Sequence, residues 1–262
     1  MFWYTRQLVA GHHTSPAQEE LRRLNGSGEI PGIYEFVNPM TDDVVDRLLE
    51  IADKHGPVTV KAHTALSDRI RRGIENDKIK VIFSYRDPRD MILSAIDHNE
   101  RCVSSGRPRV FKEFTNVQNS IRPAVWWCKM TCEWVESGLP LLIKYDEIVR
   151  WPGQQIAKVA KLVDVEASPG TIASLLALEK KNRAVGKHEF NQARLVRYPT
   201  EMTLGEIQSC NHRLGKYIRQ LGYHIDPSHL KPKKPFASRQ LNRLKKFARR
   251  LPLVKSKKKP AA

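Results

Sequence analysis

Two side chains suited to binding a phosphate group, Arg86 and Ser94, lie in the segment YRDPRDMILSAIDHN at residues 85–99. The apolar run at residues 79–84 predicts a short buried strand, and the Asp-Pro pair after it predicts a turn into a helix. Both side chains would then lie beside the carboxyl end of a strand, where open α/β sheets bind ligands. A planar guanidinium and a hydroxyl in that place suit a phosphate. The alternative is a surface turn held by salt bridges.

A second pair of chemically capable side chains, Lys61 and His63, follows the apolar stretch VTVK at residues 58–61. We predict that this stretch is a strand whose carboxyl end lies beside that of the strand before Arg86. The three side chains would then meet at one edge of the sheet and form an anion site that contains an acid or a base. Alternatively, His63 is a histidine in a solvated loop.

The remaining pattern alternates strands with helices. A third apolar stretch, LPLLIKY at residues 139–145, predicts a strand that ends at Tyr145. This alternation predicts an α/β fold with a central parallel sheet and right-handed crossovers. Helices are expected at residues 44–55, at 91–104 with Asp90 as the cap, at 123–136 with Pro123 in the first turn, and at 148–163, 171–180 and 204–221.

Composition limits the class of protein. The chain has 262 residues, of which 40% are hydrophobic, and a formal net charge of +17. Residues 231–262 contain 13 Lys or Arg and no Asp or Glu, which leaves 32 of the 45 basic residues against 28 acidic ones, or +4, for residues 1–230. We therefore predict a domain at residues 1–226 and a basic tail at residues 227–262. No apolar run approaches the roughly eighteen residues of a membrane span and no secretory signal is evident, so the expected location is cytoplasmic.

The four cysteines, at positions 102, 128, 132 and 210, lack CxxC spacing. We predict that they are buried, reduced thiols rather than parts of a disulfide or a metal site. No bound metal is expected.

In the basic tail, residues 238–251 place apolar residues on one face of a predicted helix and basic residues around the others. A basic amphipathic helix suits an anionic membrane surface, here through residues 238–259, or a polyanionic partner. Binding to nucleic acid is not expected because aromatic residues are sparse in the tail. A solvated tail that only keeps the protein in solution is the alternative.

Taken in order, three segments resemble the sulfotransferase family, enzymes that use 3'-phosphoadenosine 5'-phosphosulfate (PAPS) as sulfuryl donor. VTVKAHTAL resembles the family's lysine-x-histidine strand end, YRDPRDMILS its 3'-phosphate signature, and LPLLIKYDEIVRWPGQQIAKVAKLV its later strand, tyrosine-acidic pair and helix. The resemblance covers about residues 3–222. It implies a three-layer α/β fold with a central parallel sheet, of the P-loop NTPase-like kind.

The resemblance also implies roles for particular residues, while the acceptor is our own expectation because the later part of the pattern is too diverged for analogy. The catalytic residues would be His63, the general base, and Lys61 beside it. The residues that bind the co-substrate PAPS would be Arg86 and Ser94 at its 3'-phosphate, Tyr145 lining the site, and Trp3 packed on the adenine. The acceptor would be a hydroxyl or an amine on a small molecule or a glycan.

Two parts of the family pattern differ in this sequence. The family begins with a strand and a phosphate loop of the form PKSGTTW, which the sequence does not contain, so we expect a member truncated at its N-terminus. The family's late basic-glycine loop is replaced by the polar segment at residues 182–203, where Lys187 and Arg194 are the predicted 3'-phosphate contacts. A solvated basic loop is the alternative for this segment.

The sequence leaves two other functions open. One is a catalytically impaired pseudoenzyme that binds a nucleotide or a substrate, and the other is a protein that binds polyanions or membrane surfaces through its tail. A P-loop kinase would need GxxxxGKS or GxxxxGKT, and the sequence contains neither.

Overall fold

The computed structural model describes residues 20–21, 37, 39–184 and 194–229. Trp3, Lys187 and the basic tail from residue 230 onward lie outside these residues, so the expectations for them stay predictions. The described part is rich in helix and contains a small parallel sheet, which confirms the predicted α/β class. None of its helices is long and apolar enough to cross a membrane.

The described elements are nine helices and two strands, with a short 3-10 turn at the end. They are α1 (Asp42–His55), α2 (Asp68–Glu75), β1 (Ile82–Tyr85), α3 (Pro88–Ser104), α4 (Val117–Ser137), β2 (Leu141–Lys144), α5 (Tyr145–Arg150), α6 (Pro152–Leu162), α7 (Pro169–Ala184), α8 (Tyr198–Glu201), α9 (Leu204–Gln220) and the 3-10 helix Pro227–His229.

The two strands pair in parallel, with Tyr85 opposite Lys144 at their carboxyl ends. Helices α3 and α4 lie between them in the sequence and supply the long connection that parallel strands require. Because the pairing fixes the register, the next residues along each strand, Arg86 and Tyr145, emerge side by side at one edge of the sheet. The sequence predicted the phosphate site at this edge.

The predicted strand at residues 58–61 is wrong for the described structure. Residues 58–60 belong to no strand or helix there, and Lys61 forms an isolated bridge. Its carbonyl accepts a hydrogen bond from the Val37 amide at 2.8 Å. A strand forms only where its backbone groups pair with a neighbouring strand. Residues 58–64 do not pair with β1, and both segments line one cavity instead.

Helix α3 begins at the Asp-Pro pair rather than at the predicted cap. Asp87 is the capping residue, and its carboxylate accepts from the Arg89 amide at 2.9 Å. Pro88 occupies the first helical position, where its missing N–H costs nothing. Asp90, the predicted cap, instead lies buried in the first turn, with 2% of its surface exposed.

Helix α4 is longer than the apolar pattern predicted. It begins at Val117 because the Asn116 side chain caps it by accepting from the Asn119 amide, and it ends at Gly138, which adopts the left-handed conformation with φ 65°. Pro123 is therefore inside the helix, and its placement in the first turn is wrong. The polar residues before Pro123 gave no apolar periodicity from which the true start could be read.

The predicted helix at residues 148–163 is two helices. Tyr145, predicted as the end of β2, is the first residue of α5, and Trp151 separates α5 from α6. Pro152 begins α6, since a proline lacks the N–H that would continue α5.

The main core lies between α3, α4 and α9. Its most buried members, each with no more than 2% of its surface exposed, are Ile92, Ala124, Cys128, Cys210, Leu214 and Ile218. All four cysteines of the chain are buried free thiols, which confirms their predicted state. This three-helix core fixes the position of α3 relative to the sheet.

A smaller apolar cluster packs α1, α2 and α4 against β1. The Trp134 ring stacks on Phe83 of β1 with 5.6 Å between ring centroids. The Trp134 indole Nε1 also donates a hydrogen bond to the Thr64 carbonyl at 2.8 Å. Trp134 therefore holds the segment that carries His63 against the sheet.

Candidate active site

Five of the residues predicted for the site line a single cavity of about 1470 Å³. They are Lys61, His63, Arg86, Ser94 and Tyr145. A pocket for one drug-sized ligand usually measures roughly 300–1,000 Å³, so the volume of this cavity exceeds that range. The structure therefore brings together side chains that the sequence placed on three separate segments.

Arg86 is held at the carboxyl edge of the sheet by two contacts. Its guanidinium lies 4.5 Å from the centroid of the Tyr145 ring, and its Nη2 donates to the Asp90 carboxylate at 3.0 Å. Its side chain is only 11% exposed. The Nε of Arg86 is buried and has no hydrogen-bond partner among the described residues. Because buried donors normally have acceptors, this atom can take an acceptor that the described residues do not supply.

A second buried donor without a described partner, the Tyr223 hydroxyl, lies in the same region. The Tyr223 ring is 6.5 Å from the ring of Tyr85, the residue before Arg86. Burial raises the pKa of Tyr223 well above its usual value, so its hydroxyl keeps its proton and remains a donor. Burial also raises the pKa of the nearby Asp146, against the opposing charge of Arg86.

His63 is enclosed by aromatic rings. The Trp127 and Phe111 ring centroids lie 5.4 Å and 6.3 Å from that of His63, both in edge-on geometry. Burial lowers the pKa of His63 from 6.5 to about 4, with further lowering by the positive charges of Lys61 and His98. The imidazole is therefore neutral at neutral pH and can accept a proton.

The start of α3 is fixed by a buried arginine, Arg89, of which 1% is exposed. Its Nε and Nη2 donate to the two oxygens of Asp87 at 2.9 and 2.6 Å. Its Nη1 donates to Asn211 on α9 at 3.1 Å, and its Nη2 also donates to the His224 carbonyl at 2.8 Å. Its guanidinium lies 3.7 Å from the Tyr198 ring centroid. These contacts orient the turn that carries Arg86.

The other three predicted site residues are not seen in the cavity. Trp3 and Lys187 lie outside the described residues. Arg194 is 57% exposed, forms an ion pair with Glu201 at 3.5 Å, and is not among the residues that line the cavity. Its contact with a 3'-phosphate stays a prediction.

Sequence reasoning missed three cavity residues: His98, Phe111 and Trp127. His98 lies four residues after Ser94 on α3, so helical spacing could have placed both on one face. Trp127 lies on α4, where it packs against the main core and also contacts His63. Phe111 comes from a polar segment with no periodicity, and no sequence signal marked it.

A family model described as a sulfotransferase domain matches residues 4–201. The chain belongs to the sulfotransferase family. The match includes all five cavity residues that the sequence predicted, and it ends with α8, so helix α9 of the core lies beyond it. No curated protein matches the sequence. Within the described part of this sulfotransferase, no group of three or more His, Cys, Asp or Glu side chains could hold a metal ion.

Proposed function

We propose that this sulfotransferase transfers a sulfuryl group from PAPS to a hydroxyl or an amine of a small-molecule or glycan acceptor, in the cytoplasm. The observation that carries the proposal is the shared cavity, in which a neutral, partly buried His63 and the clamped guanidinium of Arg86 occur together. A general base and an anion site in one enclosed space are what the transfer requires.

Arg86 and Ser94 would bind the 3'-phosphate, which distinguishes PAPS from other adenine nucleotides. The buried Nε of Arg86 without a described partner supports this role, since it offers a donor for a phosphate oxygen. Tyr145 would line the donor site, because its ring already lies against Arg86. PAPS, when bound, supplies an activated sulfuryl group.

His63 would remove the proton from the acceptor as the new bond to sulfur forms. A positioned general base contributes roughly 100- to 10,000-fold to such a rate. Lys61 would stabilise the negative charge on the group in transfer, as cations do in phosphoryl transfer. The aromatic rings of Phe111 and Trp127 around His63 support an acceptor site on this side of the cavity, because aromatic faces suit both small apolar molecules and sugars.

Calorimetry with 3',5'-adenosine diphosphate tests the donor site. We expect Arg86→Ala to weaken binding by roughly ten- to a hundredfold, in line with about 1.5–3 kcal/mol for hydrogen bonds to charged groups. Arg47→Ala, which removes a surface arginine paired with Glu50, is the matched control and should bind as the parent does. Equal affinity of Arg86→Ala and the parent would show that the phosphate site is assigned wrongly.

The same protein tests the base with a PAPS-dependent transfer assay. We expect His63→Ala to lose turnover by at least about a hundredfold while it still binds 3',5'-adenosine diphosphate. His212→Ala, at an exposed histidine of α9, is the control. Undiminished turnover would remove His63 from the mechanism. Nucleotide binding by the parent without any turnover would favour the pseudoenzyme alternative.

A further inference from the structure

Asp90 is a buried carboxylate with hydrogen-bond partners on two distant parts of the chain. Its Oδ2 accepts from Arg86 Nη2 at 3.0 Å. Its Oδ1 accepts from the backbone amides of Arg197 and Tyr198 at 3.0 and 2.9 Å, and Oδ2 lies 3.2 Å from the Arg197 amide. The side chain is 3% exposed. One carboxylate therefore joins the proposed phosphate-binding arginine to residues more than one hundred positions away in the sequence.

The Arg197 side chain also holds this part of the chain against α3. It forms ion pairs with Asp97 on α3 at 2.8 Å and with Glu201 on α8 at 2.6 Å. Arg197 and Tyr198 lie within residues 182–203, the segment predicted as a basic loop. These contacts place both residues against α3, which also carries Asp90.

We propose that Asp90 is a positioning residue of the 3'-phosphate site, an inference that rests on the proposed function. Through Oδ2 it orients the guanidinium so that the unpartnered Nε remains available for the ligand. Through Oδ1 it anchors the chain at Arg197 and Tyr198 beside that guanidinium. The negative charge of Asp90 by itself would repel a phosphate. Asp90 can therefore favour phosphate binding only by orienting Arg86.

The variant Asp90→Asn separates orientation from charge. The asparagine oxygen can still accept from the two backbone amides, while its NH₂ group would face Arg86 and cannot accept from it. Removal of the negative charge by itself would strengthen binding of an anion. A decrease in affinity can therefore arise only from a guanidinium that has lost its orientation.

The experiment measures binding of 3',5'-adenosine diphosphate and of 5'-adenosine monophosphate by calorimetry. For Asp90→Asn we expect the affinity for the diphosphate to fall about tenfold, within the range for coupled neighbours, while that for the monophosphate is unchanged. In the Arg86→Ala background, Asp90→Asn should have no further effect. Asp97→Asn is the matched control, because it also loses a contact with Arg197 but does not touch Arg86.

Each result has a separate meaning. If Asp90→Asn binds the diphosphate as tightly as the parent or more tightly, the positioning role is wrong and the proposed function stands. If the parent does not prefer the diphosphate to the monophosphate, the proposed function fails and this inference fails with it. Should Asp90→Asn not fold, amide exchange in the parent decides: the diphosphate, and not the monophosphate, is expected to slow exchange at Arg197 and Tyr198, and unchanged exchange overturns the role.

Discussion

At the scale of single residues, the surroundings of His63 hold its imidazole in the neutral form. Burial disfavours the charged imidazolium, and Lys61 and His98 add positive charge nearby, so the pKa falls to about 4. The same surroundings impose a cost on the folded state at acidic pH, because the unfolded chain binds a proton at His63 that the folded protein resists.

We predict that this cost appears as a loss of stability between about pH 6.5 and pH 4. The folded pKa is below the unfolded one, so the unfolded state binds more protons in this window and stability falls as the pH falls. The difference between 6.5 and about 4 corresponds to about 3 kcal/mol at the acidic end. Urea unfolding of the parent and of His63→Gln at several pH values measures it. The free energy of unfolding should fall more steeply with falling pH in the parent than in His63→Gln across this window. Identical slopes would contradict the shifted pKa.

Some of these residue-level features could be read from the sequence and others could not. Lys61 and His63 are two positions apart, and Arg86 and Ser94 are eight apart, so local spacing carried the prediction. The bond from the Arg197 amide to Asp90 spans 107 positions, and no local pattern encodes it. Asp90 was therefore interpreted as a helix cap, which is the commonest use of an aspartate at that position.

At the scale of elements, helix α2 fixes the chain that leads into β1. It is not among the helices expected from the sequence, and Ser67 caps it over Asp68–Glu75 by accepting from the Ile70 amide at 3.2 Å. The Gly73 carbonyl accepts from the Lys78 and Ile79 amides at 2.9 and 3.0 Å. This close approach brings Ile79 against the helix.

We predict that Gly73→Ala destabilises the protein by roughly 1–3 kcal/mol, as overpacking does. An added Cβ would lie 2.8 Å from Ile79 Cγ1, which is too close for the two carbons. Gly205→Ala is the matched control, since a Cβ at this position of α9 meets nothing within 4 Å. It should be neutral or stabilising by up to about 1 kcal/mol. Urea midpoints of both variants give the comparison, and equal midpoints would show that Ile79 moves aside freely.

At the scale of the whole molecule, alternation of apolar stretches with helical patterns was enough to predict the α/β class. It was not enough to predict how many stretches would pair. Residues 58–60 have the composition of a strand, but pairing depends on a neighbour that is remote in sequence, and in the described structure they line the cavity instead. Arg89 illustrates the same limit, because its contacts with Asn211 and His224 join α3 to the end of the domain.

The buried cysteines allow the opening of the core to be measured. They come from all three helices that form it: α3, α4 and α9. Burial raises the pKa of Cys128 and Cys210 to about 12 and that of Cys132 to about 11, so almost no reactive thiolate is present at these three positions at pH 8. We expect a thiol-specific reagent to modify the native protein slowly and the urea-unfolded chain at once.

The rate of that modification reports separation of the helices without any added label. Saturating 3',5'-adenosine diphosphate should slow it, because a ligand that binds only the folded state reduces opening. Fast modification of the native protein would contradict the tight three-helix core. The rate of thiol modification thereby measures how a ligand in the cavity changes the opening of the helices that support it.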